Sequence, residues 1–151
     1  MADKPLETML PWFDVFNEIG IIEQLSRNAF ERVLQEGLSL AGFSVLNHFV
    51  RLELKSSTPT ELASAFQVTK GAMTNTLHRL EGLGFVTIGT NPKDGRGKIV
   101  RITTKGIKAR NQSIEAIMPM LAMVSEAVPD KEAASALPFL KKLRIFLDEN
   151  R

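Results

Sequence analysis

Cysteine is absent from the 151 residues. That excludes disulfide scaffolds, thiol nucleophiles, cysteine redox sensors and thiolate metal sites. Histidine occurs only at His48 and His78, which leaves few ligands for a zinc site, so neither a metal nor a cofactor is expected. No apolar run approaches the ~18 to 20 residues needed to cross a bilayer. The opening Met1-Ala2-Asp3-Lys4-Pro5 lacks the charged and apolar regions of a secretory leader. No membrane partner and a cytoplasmic location are therefore the expectation. Hydrophobic residues at 44% and charged residues at 24% exclude a disordered or fibrous chain. The length suits about one domain with a real core.

The net charge of +2 conceals a strong asymmetry. Residues 60 to 110 hold nine basic side chains (Lys70, Arg79, Lys93, Arg96, Lys98, Arg101, Lys105, Lys108, Arg110) and three acidic ones (Glu61, Glu81, Asp94), a balance of +6. The rest of the chain holds ten basic and fourteen acidic residues, a balance of −4. A basic middle between acidic flanks suits a module that faces a polyanion.

Apolar periodicity predicts a helix over 5 to 36, through Leu6, Met9, Leu10, Phe13, Phe16 and Ile19, with a bend at Gly20 and a stop at Gly37. Ser39 is placed to cap a second helix with Phe43, Leu46, Val50 and Leu54 inward. Thr58-Pro59-Thr60-Glu61 carries an N-cap, a proline at the first helical position and a glutamate three residues after the cap. Leu62, Ala63 and Phe66 follow, then a tight turn at Gln67-Val68. Thr69 caps the next helix, which runs to about Leu83. Phe85 to Ile88 and Ile99 to Thr103 read as two strands joined by a long tip at 90 to 97. Thr103 or Thr104 starts a long helix with Ile107, Ile114, Ile117, Leu121, Val124 and Val128 at coiled-coil-like spacing. Pro129-Asp130 opens the last helix. Pro119 and Pro138 should bend the helices that hold them.

The order helix, tight turn, helix, basic hairpin is that of a winged helix-turn-helix. In its second helix Met73, Thr76, Leu77, Leu80 and Leu83 point inward, while Lys70, Gly71, Thr74, Asn75 and His78 form the opposite stripe. That stripe is small, polar and basic, with no acidic residue. Small residues let a helix sit deep in a major groove, and asparagine can pair with adenine through two hydrogen bonds. Lys70 and the cap residue Thr69 lie where a helix N-terminus meets phosphate.

The sequence strongly resembles the MarR family of transcriptional regulators. The resemblance is carried by Thr60-Glu61-Leu62-Ala63, by Val68-Thr69-Lys70-Gly71-Ala72-Met73-Thr74, and by Leu80-Glu81-Gly82-Leu83-Gly84-Phe85-Val86. Asn91-Pro92-Lys93-Asp94-Gly95-Arg96 and Ile102-Thr103-Thr104-Lys105-Gly106 complete it. It implies a mainly α fold with a small β-hairpin wing, residues 1–151 forming a single MarR-like domain. About 39–104 would be the winged helix-turn-helix, and about 5–36 and 105–150 the dimerisation helices. It implies a homodimer on a pseudo-palindromic double-stranded DNA site, most simply a repressor released by a small aromatic effector. Asp94 and Arg96 match the family's Asp-x-Arg wing motif. Arg96 becomes the minor-groove probe, Asp94 a brace for the wing, and Lys93 and Lys98 phosphate contacts. Many members carry an arginine at the end of the first wing strand that pairs with this aspartate. Here that stretch is Thr87-Ile88, so the brace is open, with Arg101 an alternative partner. Trp12, Phe13, Phe16, Met118 and Met123 are candidates to line an effector pocket, or simply core.

Two other classes compete. Catalysis is disfavoured, because no serine or carboxylate motif serves either histidine. A winged helix that binds protein and no DNA is the alternative function, against which the basic wing argues.

Overall fold

Reciprocal capping sets the start of the motif. In the computed structural model, which describes residues 6–150 and all side chains from residue 9 onward except that of Asp94, the Thr58 side chain accepts from the Glu61 N–H at 3.2 Å. The Thr58 N–H donates to Glu61 Oε2 at 2.7 Å, and Ser57 Oγ donates to the same oxygen at 3.0 Å. These bonds hold the Glu61 carboxyl below its ordinary pKa, the Thr58 N–H contributing most. The folded chain thus binds this proton less readily than the unfolded chain. The stabilisation is present above the ordinary glutamate value and is lost as pH falls through the lower native value. Glu61→Gln should therefore cost up to ~1 kcal/mol at neutral pH, small because the site is exposed, and make the acid limb of a stability-against-pH curve shallower. Equal acid limbs for the two proteins would refute it.

The helices are α1 (Leu6–Glu31), α2 (Leu40–Arg51), α3 (Pro59–Ala65), α4 (Lys70–Gly82), α5 (Thr104–Ala127) and α6 (Asp130–Glu149), with strands β1 (Val86–Asn91) and β2 (Asp94–Ile102) between α4 and α5. The chain divides into two compact units, one through Glu115 and one from Ala116. In the first unit the core is built from Val45, Leu46 and Phe49 of α2, Leu62 of α3, Met73, Leu77 and Leu80 of α4, Phe85, Val86 and Val100 around the hairpin, and Ala109 of α5. Burying each of the large apolar side chains contributes about 1.5 to 3 kcal/mol. Phe30 joins α1 to this core, edge-on to Phe43 with ring centroids 4.5 Å apart.

Three expectations are revised. The first helix ends at Glu31, not near residue 36, and the chain turns through Gly37 at φ +82. On α2 Phe43 and Leu46 are buried as expected, Leu54 beyond the helix is half-buried and packs against the same core, Val50 is only half-buried, and Val45 and Phe49 are buried in addition. The hairpin tip is shorter than its turn-forming residues suggested. β1 and β2 pair antiparallel from Val86↔Ile102 to Thr90↔Lys98, the register shifts, and Asn91 then pairs with Asp94. The turn is Pro92-Lys93, closed by the Lys93 N–H donating to Asn91 Oδ1 at 3.0 Å. Gly95, Arg96 and Gly97 are the extra residues on β2. Ser57 extends the hairpin through a two-way backbone bridge to Val100, at 3.0 and 2.8 Å.

The end of α4 is closed by its own backbone and by α5. Gly84 takes φ +75 and donates to Glu81 O at 2.8 Å, and Phe85 donates to Leu80 O at 2.9 Å. This paired closure uses the freedom of glycine at the left-handed position. Three carbonyls beyond the helix then meet the start of α5. Lys105 Nζ donates to Leu83 O at 2.7 Å, Thr103 Oγ1 to Gly84 O at 2.7 Å and the Thr103 N–H to Phe85 O at 3.0 Å.

Candidate nucleic-acid interface

Thr69 caps α4 through its side chain, which accepts from the Ala72 N–H at 3.1 Å. The cap fixes which way the helix presents its faces. Met73, Leu77 and Leu80 are buried, Thr76 and Leu83 half-buried. Thr69, Lys70, Gly71, Thr74, Asn75 and His78 are all exposed. The polar stripe therefore faces away from the core of its own unit.

The wing lies beside that stripe. Lys70, Thr74 and His78 form one side of a cleft of about 440 Å³, with Ile88, Asn91 and Lys98 of the hairpin among its lining. Thr58, Pro59 and Thr60 also line it. Neither these three residues nor Asn91 is among those the sequence assigns to DNA contact. Lys93 and Arg96 are exposed further along the wing, Lys93 in the turn and Arg96 among the extra residues of β2. The side chain of Asp94, the expected wing brace, lies outside the described residues.

A brace that the sequence did not reveal joins the wing to α4. Glu81 Oε1 accepts from the Ile88 N–H at 3.1 Å. Glu81 stands near the end of α4, so this bond pins β1 at Thr87-Ile88. Lys105 and Arg110, both among the central cations, also have structural partners. Lys105 engages Leu83 O. Arg110 donates twice to Asn47 Oδ1, at 3.0 and 2.8 Å, and once to Asn111 Oδ1 at 3.1 Å.

His48 stands apart from the stripe. Its ring meets Phe66 edge-on at 5.2 Å. Burial first, and Arg51 second, hold its pKa below the ordinary histidine value. Both favour a neutral packing residue. Among the described residues no group of three or more His, Cys, Asp or Glu side chains could hold a metal ion, and no helix is long and apolar enough to cross a membrane. The expected pocket residues are exposed in each unit separately: Trp12, Phe13 and Phe16 on α1, Met118 and Met123 on α5.

A capped helix-turn-helix followed by a two-stranded wing defines a winged helix-turn-helix protein. The MarR family pattern matches residues 36–97. The multiple antibiotic resistance protein MarR of Escherichia coli K12 is 34% identical over 99 residues, covering 62% of this chain and 69% of that protein. The crystal structure of the transcriptional regulator BldR from Sulfolobus solfataricus superposes with a TM-score of 0.74 at 26% identity, over 92% of this chain and 96% of that one. A mutant of E. coli MarR in complex with operator DNA superposes with a TM-score of 0.62 at 31% identity, over 85% and 96% of the two chains. The chain belongs to the MarR family of transcriptional regulators.

Proposed function

We propose that the chain acts in the cytoplasm as a homodimer that binds a pseudo-palindromic double-stranded DNA site. The α4 stripe enters the major groove, with Thr69 and Lys70 at phosphate and Gly71, Thr74, Asn75 and His78 against base edges. Arg96 at the wing probes the flanking minor groove, with Lys93 and Lys98 on phosphates. The observation that carries this reading is the exposed, acid-free stripe of α4 sharing a cleft with the basic wing. The complex of E. coli MarR with operator DNA supports it by likeness.

Dimerisation rests on uncovered apolar surface. No residue of α6 is buried, and Leu137, Leu140, Phe146 and Leu147 are exposed. On α1, Leu10, Phe13, Ile22 and Leu25 are each more than half exposed. Exposed apolar side chains along two helices call for cover, and a two-fold partner supplies it symmetrically. Residues 1–151 then work as one MarR-like unit, with 39–104 reading DNA and 5–36 and 105–150 pairing the protomers. We read the outcome as repression relieved by a small aromatic effector, for which Trp12, Phe13, Phe16, Met118 and Met123 offer apolar surface. Trp12 is the sole tryptophan, so its fluorescence should change on titration with substituted phenols or benzoates. No change across the set would remove these residues from an effector site.

The experiment that tests DNA binding is selection of bound fragments from sheared genomic DNA, followed by affinity against salt. An inverted repeat with half-sites ~10 bp apart is expected. The logarithm of affinity should fall steeply with the logarithm of salt. No enriched repeat and a flat salt response would favour the alternative of a protein partner. Arg96→Ala should weaken binding to the selected site while leaving the fold intact, because the residue is exposed on the wing. Unaltered affinity would take the wing out of the mechanism.

A further inference from the structure

We infer that Lys105 is a positioning residue for the recognition helix, not one of the cations that meet DNA. The inference rests on the DNA-binding reading of α4. A helix of 13 residues extends about 20 Å, and Lys105 acts at the opposite end from Lys70. There its ammonium donates to Leu83 O at 2.7 Å and stands 5.5 Å from the centroid of the Phe85 ring. Leu83 is the C-cap residue of α4, where the helix dipole leaves partial negative charge. A cation donating to that carbonyl gains from both the hydrogen bond and the dipole, and the aromatic face adds to the attraction.

The surroundings favour one placement of the side chain. The Lys105 stem runs beside Gly84, whose Cβ position would lie 3.6 Å from Lys105 Cδ. Thr103 takes Gly84 O and Phe85 O, so Leu83 O is the carbonyl left for Lys105. Thr103 Oγ1 also accepts from the Gly106 N–H at 3.0 Å, which starts α5 at this joint. Lys105 thereby ties the end of the reading helix to the first turn of α5. Freeing that end lets α4 sample more orientations. The bound orientation is then less favoured, and contacts that need exact placement suffer before phosphate contacts do.

The test compares wild type, Lys105→Met and Lys105→Arg. Affinity is measured for the selected inverted-repeat duplex and for a scrambled duplex of equal length, across a salt series. Amide hydrogen exchange is measured on the free protein. Lys105→Met should lower the ratio of the two affinities about two- to tenfold, the worth of one modest hydrogen bond. Its salt slope should match that of wild type, and the Gly84 and Phe85 amides should exchange faster. Lys105→Arg, which keeps the charge and donors, should restore most of the ratio. A slope smaller by about one with an unchanged ratio would identify a phosphate contact and overturn the inference. Unchanged ratio, slope and exchange would overturn it as well. A wild-type protein that prefers neither duplex overturns the DNA-binding reading, while the exchange rates still decide whether Lys105 holds the end of α4.

Discussion

Gly106→Ala is expected to cost the winged unit a large part of its stability. A Cβ at Gly106 would lie 2.1 Å from Phe85 O and 3.0 Å from the Phe85 carbonyl carbon. Both are backbone atoms, so no rotamer change relieves the clash. The Phe85 carbonyl is itself held, because it accepts from the Thr103 N–H at 3.0 Å. Moving the chain apart would break that bond and disturb the neighbouring contacts of Thr103 and Lys105. In an open helix, glycine to alanine is worth roughly 0.5 to 1 kcal/mol in favour of alanine. Here the sign reverses, and a loss on the order of 3 kcal/mol is expected. For a chain of this size that lowers the melting temperature by roughly 10 °C. Gly82→Ala is the control: nothing lies within 4 Å of a Cβ there, so it should be neutral or slightly stabilising. Equal melting temperatures for Gly106→Ala and wild type would show that the joint can open without cost.

The same joint marks where sequence reasoning ran out. The Thr58 and Thr69 caps were legible because each is completed within three residues, and their chemistry is written in adjacent side chains. The buried side of α4 was legible because Met73, Leu77 and Leu80 follow the helical period. Partners distant in sequence were not. Lys105 and Leu83 are 22 residues apart, and Arg110 and Asn47 are 63 apart. From composition alone both cations looked like part of a polyanion-facing patch. The need for glycine at 106 was likewise hidden, since it arises only when α5 lies on the Phe85 carbonyl. The wing failed for a different reason. Thr90 to Gly97 contains proline, asparagine, aspartate and two glycines, any of which suits a turn. Local preference could not say that Pro92-Lys93 turns while Gly95 to Gly97 are extra residues within β2. Strand pairing decides that register, and pairing is a property of both strands together.

Asn75→Ala should produce the largest change in what the protein reads, as distinct from how tightly it holds any duplex. Asn75 is exposed on α4 within the first two turns, beside Gly71 and Thr74, whose small side chains allow close approach. Its amide offers a donor and an acceptor, the pair that matches the major-groove edge of adenine. One such bidentate contact is worth about 1 to 3 kcal/mol of discrimination against the wrong base. Removing it should therefore leave folding intact and lower the preference for one base identity about 5- to 150-fold, the same energy expressed as a ratio. A homodimer carries two copies of Asn75, so the loss should appear symmetrically in both half-sites. The salt slope should stay constant, since no charge is removed. Binding compared across single-base variants of the selected repeat makes the measurement. A change confined to one position per half-site assigns Asn75 to base reading. A uniform fall across every variant would mean that Asn75 orients α4 on the sugar-phosphate chain, and that sequence is read by Thr74, His78 or the wing. The two outcomes separate cleanly because a lost backbone contact weakens all duplexes alike, whereas a lost base contact penalises only the duplex that had it.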